Sequence, residues 1–290
     1  MRFERRAFTL LELIVTLAIL VILAGVLFPV LTRARIEALR VGCLSNFRQV
    51  TAAALMYSAD YDDVFVPVNH RTAGGGDSSN DRTWVQLLLP YGRSFQIFFC
   101  PADPQGFRTA TARFDADLVP GDTSSGYFSA SQSVNVGYNH QYLSPILRST
   151  GGWEAMPRSA SVISDPASSL FFVDSTGPTS TASGGSWLVS APCRYEATPN
   201  GQVIDTFSGR TGSVEVFTTT DGWPAVDQPV YSEPIQYGGA WPRHGQRFTL
   251  ATLAGGTKSV SLRQLTDGCD LGANWSGLIR DNRAYLWDIR

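Results

Sequence analysis

Residues 8–31 read FTLLELIVTLAILVILAGVLFPVL, an apolar run that carries one acidic side chain, Glu12. From Leu13 to Leu31 the run has 19 residues, and only Thr16 among them has a polar side chain. A helix of about 20 apolar residues crosses the hydrocarbon layer of a membrane, which is ~30 Å thick, because each residue adds about 1.5 Å. The run therefore predicts a transmembrane helix.

Glu12 is unusual in such a segment. A carboxylate deep in lipid costs about 2.5–3.5 kcal/mol on insertion scales, so its presence indicates a function that requires a charge there. The alternative is that the Glu12 side chain only reaches to the membrane–water interface.

Other processed segments fit the run less well. A signal peptide has a shorter apolar region and a small-residue cleavage site after it, whereas this run ends in PVLTR at residues 29–33. A lipoprotein signal needs a cysteine at the end of the run, and the first cysteine is Cys43. Arg5-Arg6 gives only a short match to a twin-arginine signal. Arginines flank the run on both sides, so charge does not set the orientation.

The start of the run resembles the leader and helix start of type IV prepilins and type II secretion pseudopilins. Here a short basic leader ends at Ala7, and Phe8-Thr9-Leu10-Leu11-Glu12 follows. The resemblance implies cleavage by prepilin peptidase between Ala7 and Phe8 and N-methylation of Phe8. It makes Glu12 the family's acidic position and Pro29 its helix-kinking proline. Ala7 departs from the pattern, which normally has glycine before the cut.

This processing suggests a partner for Glu12. Cleavage would create an ammonium group at Phe8, and in a filament the Glu12 carboxylate of one subunit could meet the amine of a neighbour. Each charge is costly alone in lipid, so pairing offsets that cost and fixes the axial register of the helices.

Beyond Pro29 the apolar residues keep a helical spacing of three or four positions. This stripe consists of Ile36, Leu39, Cys43, Phe47, Val50, Ala54, Tyr57 and Tyr61. Such a face packs against a protein core. Three aspartates and Pro67 follow and end the pattern. The sequence therefore predicts one helix of roughly 50 residues, half in the membrane and half in the following domain, with a kink favoured at Pro29.

The rest of the chain has the composition of an exported, β-rich domain. Charged residues make up 17%, below the usual value of about 25%, and Gly, Ser, Thr and Pro are abundant. The net charge is −2 and no basic run follows residue 40, so nucleic-acid binding is not expected.

Short apolar runs between turn residues predict the strands. They are Ser94–Cys100, Leu170–Asp174, Val203–Phe207, Val214–Thr219 and Ala284–Ile289. Thr83–Tyr91 predicts a short helix that Pro90 ends. Phe248–Ala254 and Thr257–Leu262 flank Gly255-Gly256, which is typical of a two-residue β-hairpin turn.

Several segments also resemble the large prepilin-type proteins that carry an H-X9-DG segment. These are the segments around Cys43 (CLSNFRQ), Tyr57 (YSADYD), Trp84 (with LLPY at 88–91), Cys100 (FCP), Gly137 (GYN), Asp174 (VDS) and Arg243-His244. Nine residues separate His244 from Ala254 and Gly255, so alanine stands where that branch has aspartate. Residues 105–130 and 178–240 match no segment of it.

Local motifs for chemistry are absent from the sequence. The four cysteines, Cys43, Cys100, Cys193 and Cys269, are disulfide candidates with three pairings open, and buried free thiols are the alternative. No histidine lies in a metal-ligand spacing, and no nucleophile elbow is present. His244 is interpreted as a structural hydrogen-bonding residue. The acidic clusters match no calcium loop, so we expect neither a metal nor another cofactor, although calcium on loop carboxylates stays an alternative.

Together these features predict an α+β, pilin-like fold: a long N-terminal helix packed on an antiparallel sheet with long loop insertions. Residues 1–7 would be the leader, 8–31 the membrane and assembly helix, 32–61 its amphipathic continuation and 62–290 an extracytoplasmic domain. The predicted function is assembly into a pilus or pseudopilus, not enzyme catalysis. Expected partners are prepilin peptidase, other pilin or pseudopilin subunits, the inner-membrane assembly platform and the lipid bilayer. The alternative is a membrane-tethered module that binds a carbohydrate or another envelope ligand.

Overall fold

A single long helix, α1 (Leu10–Asp60), dominates the computed structural model. The structure describes residues 10–70, 82–112, 126–149, 152–176, 184–189, 191–193, 239–271 and 277–288. The helix has 51 residues and runs through Pro29 without interruption. This confirms the predicted length and extent of the helix.

The two halves of α1 have opposite surroundings. Every residue from Leu10 to Glu37 is exposed, and the apolar side chains Leu10 and Phe28 are each 76% exposed. From Cys43 onward one face is buried, as the stripe predicts. The prediction of a buried face is wrong at the two ends of the stripe, because Ile36 is 50% exposed and Tyr61 is 54% exposed.

A four-stranded antiparallel sheet receives the buried half of α1. Its order is β3 (Val136–Tyr138), β6 (Leu170–Asp174), β7 (Phe248–Thr252) and β8 (Thr257–Val260). Strand β6 is buried at all five positions. It lies inside the sheet with a packed layer on each face, which explains why its sequence, LFFVD, does not alternate.

The first packed layer holds α1 against the sheet. Its largest side chains lie around Trp84, whose ring centroid is 5.1 Å from Phe172, 5.7 Å from Tyr138 and 5.8 Å from Phe98. The Trp84 indole N–H donates to the carbonyl oxygen of Trp187 at 2.8 Å. The second layer, on the other side of the sheet, includes Val173, Phe248, Val260 and Trp287.

Smaller elements surround this core. They are β1 (Asn69–His70), β2 (Arg82–Thr83), α2 (Trp84–Gly92), a 3₁₀ turn (Phe95–Phe98), α3 (Pro104–Thr111), α4 (Gly126–Gln132), α5 (His140–Leu143), β4 (Ile146–Ser149), β5 (Gly152–Ala155), a second 3₁₀ turn (Ala160–Val162), α6 (Leu262–Leu265), β9 (Cys269–Leu271) and β10 (Gly277–Ile279). The predicted short helix is confirmed as α2, which begins with a capping box between Thr83 and Gln86. The prediction that Pro90 ends this helix is wrong, because the helix includes Pro90 and continues to Gly92, where Arg93, with φ +58°, caps it.

Two predicted strands are wrong. Ser94–Cys100 forms a 3₁₀ turn instead, because the Ser94 hydroxyl accepts the Gln96 N–H at 3.3 Å and caps the turn. Residues 284–288 form turns, in which Asp281 accepts N–H groups of the following residues. The predicted strands Val203–Phe207 and Val214–Thr219 lie outside the described residues.

The β7–β8 hairpin is confirmed, but its turn is longer than two residues. The last paired positions are Ala251 and Thr257, and the Thr252 N–H donates to the Gly256 carbonyl at 2.8 Å. Gly255 has φ +85°, a left-handed conformation that glycine adopts without strain.

Candidate functional site

The exposed half of α1 is the first candidate site. Among the described residues it is the one helix that is long and apolar enough to cross a membrane. None of its apolar part is buried within the chain. The surface therefore suits contact with lipid or with neighbouring helices.

Two polar features lie on this apolar surface. Glu12 is exposed in the first turn of α1. The Thr16 hydroxyl lies one turn further on and donates to the carbonyl oxygens of Glu12 and Leu13, each at 2.9 Å. Pro29 lies within the helix; because it has no N–H, the carbonyl of Gly25 lacks its usual helical partner. The predicted cleavage residues Ala7 and Phe8 lie outside the described residues.

A second candidate site is a cluster of four buried side chains at the junction of α1 and the sheet. Cys43, Cys100, Asp174 and His244 each offer a potential metal-ligand atom, and these atoms all lie within 4.8 Å of one another. The Cys100 Sγ is 3.2 Å from the His244 Nε2. The Cys43 Sγ is 3.9 Å from an Asp174 carboxylate oxygen. We call these four residues the Cys2HisAsp cluster.

Four separate elements deliver these side chains. Cys43 lies on the buried face of α1, and Asn46, one turn later, donates to the Phe99 carbonyl at 2.7 Å, which holds the Cys100 segment against the helix. Asp174 ends β6. His244 lies in the turn before β7.

Backbone hydrogen bonds hold the His244 turn beside Asp174. The Trp241 N–H donates to the Asp174 carbonyl at 2.7 Å, and the Thr176 N–H donates to the Gly239 carbonyl at 2.9 Å. Gly245 and Gln246 both have positive φ, +61° and +62°. The tight turn that results directs the His244 ring back toward Cys100.

A buried ion-pair network supports the cluster. The Arg243 guanidinium is 3.1 Å from one Asp174 oxygen and 3.3 Å from Asp103. Asp103 also accepts the Asn135 side-chain amide at 3.0 Å, and the Asn135 side-chain oxygen accepts the Cys100 N–H at 3.0 Å. One Asp174 oxygen is therefore held by Arg243, while the other faces Cys43.

The environment favours an ionised thiol at Cys100. Burial raises its pKa, but hydrogen bonds with Cys43 and His244 and the charge of His244 outweigh burial and lower the pKa to about 5. Burial lowers the pKa of His244, and its contact with Cys100 outweighs this and raises it. Burial and the neighbouring Cys100 raise the pKa of Cys43. Burial raises the pKa of Asp174 to about 7, against the pull of Arg243.

Sequence reasoning named three of these residues but did not bring them together. It treated Cys43 and Cys100 as disulfide candidates and His244 as a structural residue. Asp174 appeared as the last residue of a predicted strand and, like Arg243, within a segment of the resemblance, and Asp103 was missed. Because Cys43 and Asp174 are 131 positions apart and Cys100 and His244 are 144 apart, no local spacing could signal the site.

The other two cysteines form a disulfide. Cys193 and Cys269 are bonded, and they link the segment at residues 191–193 to β9. Cys43 and Cys100 are buried free thiols. The structure thus contains both outcomes that the sequence left open, one for each pair.

Comparison with known proteins bears on the N-terminal site. Residues 2–28 match the family described as the prokaryotic N-terminal methylation motif. Comparison of the chain with curated proteins and with solved structures gives no significant match. The motif indicates a prepilin-type protein that is anchored in the membrane, processed, and assembled with other subunits into pili or pseudopili. It points to a structural subunit rather than an enzyme.

Proposed function

We propose that this chain is a subunit of a type IV pilus or a type II secretion pseudopilus, cleaved by prepilin peptidase after Ala7 and assembled through α1. The observation that carries the proposal is the division of α1 into an exposed apolar half and a half that is built into the globular domain. The first half can leave lipid for a bundle of identical helices without exposing apolar surface to water. The second half connects that bundle rigidly to the domain.

Glu12 has a specific role in this assembly. It would pair with the α-ammonium group that cleavage creates at Phe8 of a neighbouring subunit. An uncompensated charge in lipid costs about 2.5–3.5 kcal/mol, so the pair favours the filament over the isolated subunit and selects one axial register.

The mass of the mature N-terminus tests the processing step. Full-length protein is expressed with and without a prepilin peptidase, extracted from membranes and analysed by intact-mass and N-terminal peptide mass spectrometry. We expect loss of residues 1–7 and one added methyl group on Phe8, only with the peptidase present. An intact Met1, or a cut after Leu31, contradicts the proposal.

Replacing Glu12 by glutamine tests the assembly step. We expect membrane insertion to persist and filament incorporation to fall at least tenfold, since about 1.4 kcal/mol corresponds to a factor of ten. Glu37→Gln is the matched control, because Glu37 is an exposed glutamate of the same helix that pairs with Arg40 at 2.8 Å. A membrane-tethered binding module would instead keep its function with Glu12→Gln.

A further inference from the structure

We propose that the Cys2HisAsp cluster is a buried structural site for one zinc ion, which ties α1 to the sheet. This goes beyond the assembly function, which rests on the opposite half of α1. It also differs from the sequence expectation of no metal, which rested on local spacings alone.

The donor atoms match zinc. Two sulfurs, one imidazole nitrogen and one carboxylate oxygen form a set that zinc accepts in tetrahedral sites, with bonds of about 2.3 Å to sulfur and about 2.0–2.2 Å to nitrogen and oxygen. Tetrahedral geometry at these lengths separates the ligand atoms by about 3.3–3.8 Å. The observed separations are at most 4.8 Å, and that of Cys100 and His244 is 3.2 Å, so small side-chain movements suffice.

The chemistry of the ligands excludes the hard cations. Calcium and magnesium take oxygen ligands, six or more for calcium, whereas thiolates select zinc and other soft or borderline metals. Four protein ligands fill a tetrahedral zinc ion and leave no position for a reactive water. A closed site of this kind contributes to folding and not to catalysis, which agrees with a structural subunit.

Arg243 supports the carboxylate ligand of the site. Its guanidinium faces the two carboxylates Asp103 and Asp174. Arg243, which holds one Asp174 oxygen, would orient the other oxygen toward the metal.

A disulfide between Cys43 and Cys100 is the competing arrangement. It would use both sulfurs, but it would remove the thiolate that His244 faces and leave a buried imidazole and a buried carboxylate directed at an apolar bond. In the structure the two sulfurs are not bonded to each other, and besides their mutual hydrogen bond Cys43 lies beside Asp174 and Cys100 beside His244. This is the arrangement expected around a central ion.

Metal analysis of the full-length protein tests the site. The chain is purified in detergent without a metal-affinity tag, incubated with zinc and dialysed, and its zinc content is measured by inductively coupled plasma mass spectrometry. We expect about one zinc per chain. Substituting cobalt(II) should give the intense absorption of a tetrahedral cobalt–thiolate centre. Absence of zinc from the wild-type protein, or a cobalt spectrum without sulfur-to-metal absorption, overturns the proposal.

Variants assign the metal to the cluster. His244→Ala should weaken zinc binding by about tenfold or more, and His244→Cys should retain it because zinc accepts a third thiolate. His140→Gln is the matched control, since His140 and His244 are each 5% exposed and His140 lies outside the cluster. Equal zinc affinity in wild type and His244→Ala contradicts the site.

Thiol counting separates zinc from a disulfide without any variant. Wild-type protein taken directly from membranes is denatured and alkylated without reduction, and the labelled peptides are identified. We expect Cys43 and Cys100 to be alkylated and Cys193 and Cys269 not to be. A Cys43–Cys100 linked peptide in place of two labelled thiols overturns the proposal.

Discussion

Arg243 is the residue on which the buried polar region depends most. Its guanidinium joins Asp103 and Asp174, and all three side chains are at most 4% exposed. A buried pair of this kind adds little compared with an apolar replacement, yet removing one partner leaves uncompensated buried charge. Removing Arg243 should therefore change the free energy of unfolding more than removing one partner of an exposed ion pair.

We expect Arg243→Gln to destabilise the domain by about 3–5 kcal/mol, which lowers its melting temperature by roughly 10 °C for a domain of this size. Thermal unfolding in detergent, followed by circular dichroism with EDTA present so that metal content is equal, measures the change. Arg280→Gln is the control, because the Arg280–Asp270 pair has a similar distance, 2.8 Å, but side chains that are 64% and 61% exposed. An exposed pair contributes about 0–1 kcal/mol, so comparable losses in the two variants would contradict this account.

At the scale of the element, α1 combines two helices of different purpose in one continuous backbone. Phe28 and Phe47 show the contrast: the first is 76% exposed and the second 1% exposed. The membrane half gains its stability from lipid or from neighbouring subunits, whereas the domain half gains it from the sheet. Substitutions in the domain half should therefore change the melting temperature of the domain, and substitutions in the membrane half should change incorporation into filaments.

Phe47→Ala should destabilise the domain by about 3–5 kcal/mol, because it removes a fully buried ring and leaves a cavity. Phe28→Ala, the same substitution on the exposed half, should leave the melting temperature of the domain unchanged in detergent. If both variants melt alike, the helix is not divided as described. Incorporation into filaments is the complementary measurement. There we expect Phe28→Ala to reduce incorporation although the melting temperature of the domain is unchanged.

The elements also show which parts of the fold the sequence could predict. The extent of α1 follows from local spacing, and strands β6, β7 and β8 follow from short apolar runs between turn residues. The strand predicted at Ser94–Cys100 was wrong. Its apolar run resembles a strand, but the Ser94 hydroxyl caps a local 3₁₀ turn there. The Cys2HisAsp cluster could not be predicted from spacing, since each of its four ligands comes from a different element and only the tertiary fold brings them together.

At the scale of the whole molecule, the Cys193–Cys269 disulfide indicates on which side of the membrane the domain lies. Cys193 and Cys269 form a disulfide across 76 positions, and disulfides of this kind persist on the oxidising side of a membrane. The flanking arginines of the apolar run are balanced, so the disulfide is the better guide to orientation. It favours a position of the globular domain outside the cytoplasm.

Reduction of this disulfide should destabilise the domain by about 2–5 kcal/mol, because the unfolded chain regains the freedom of a long loop. Cys193→Ser, compared with wild type in reducing and non-reducing buffer, measures the effect. The variant should melt at the same temperature in both buffers, and the wild type should match it only when reduced.

The same disulfide reports the orientation of the domain in cells. In spheroplasts, external protease should degrade the domain while the membrane half of α1 stays protected, and the Cys193–Cys269 peptide should be lost from cells that lack a periplasmic thiol oxidase. A domain that resists external protease until the membrane is dissolved, and whose Cys193 and Cys269 are both alkylated in intact cells, would place it in the cytoplasm and exclude a role outside the membrane.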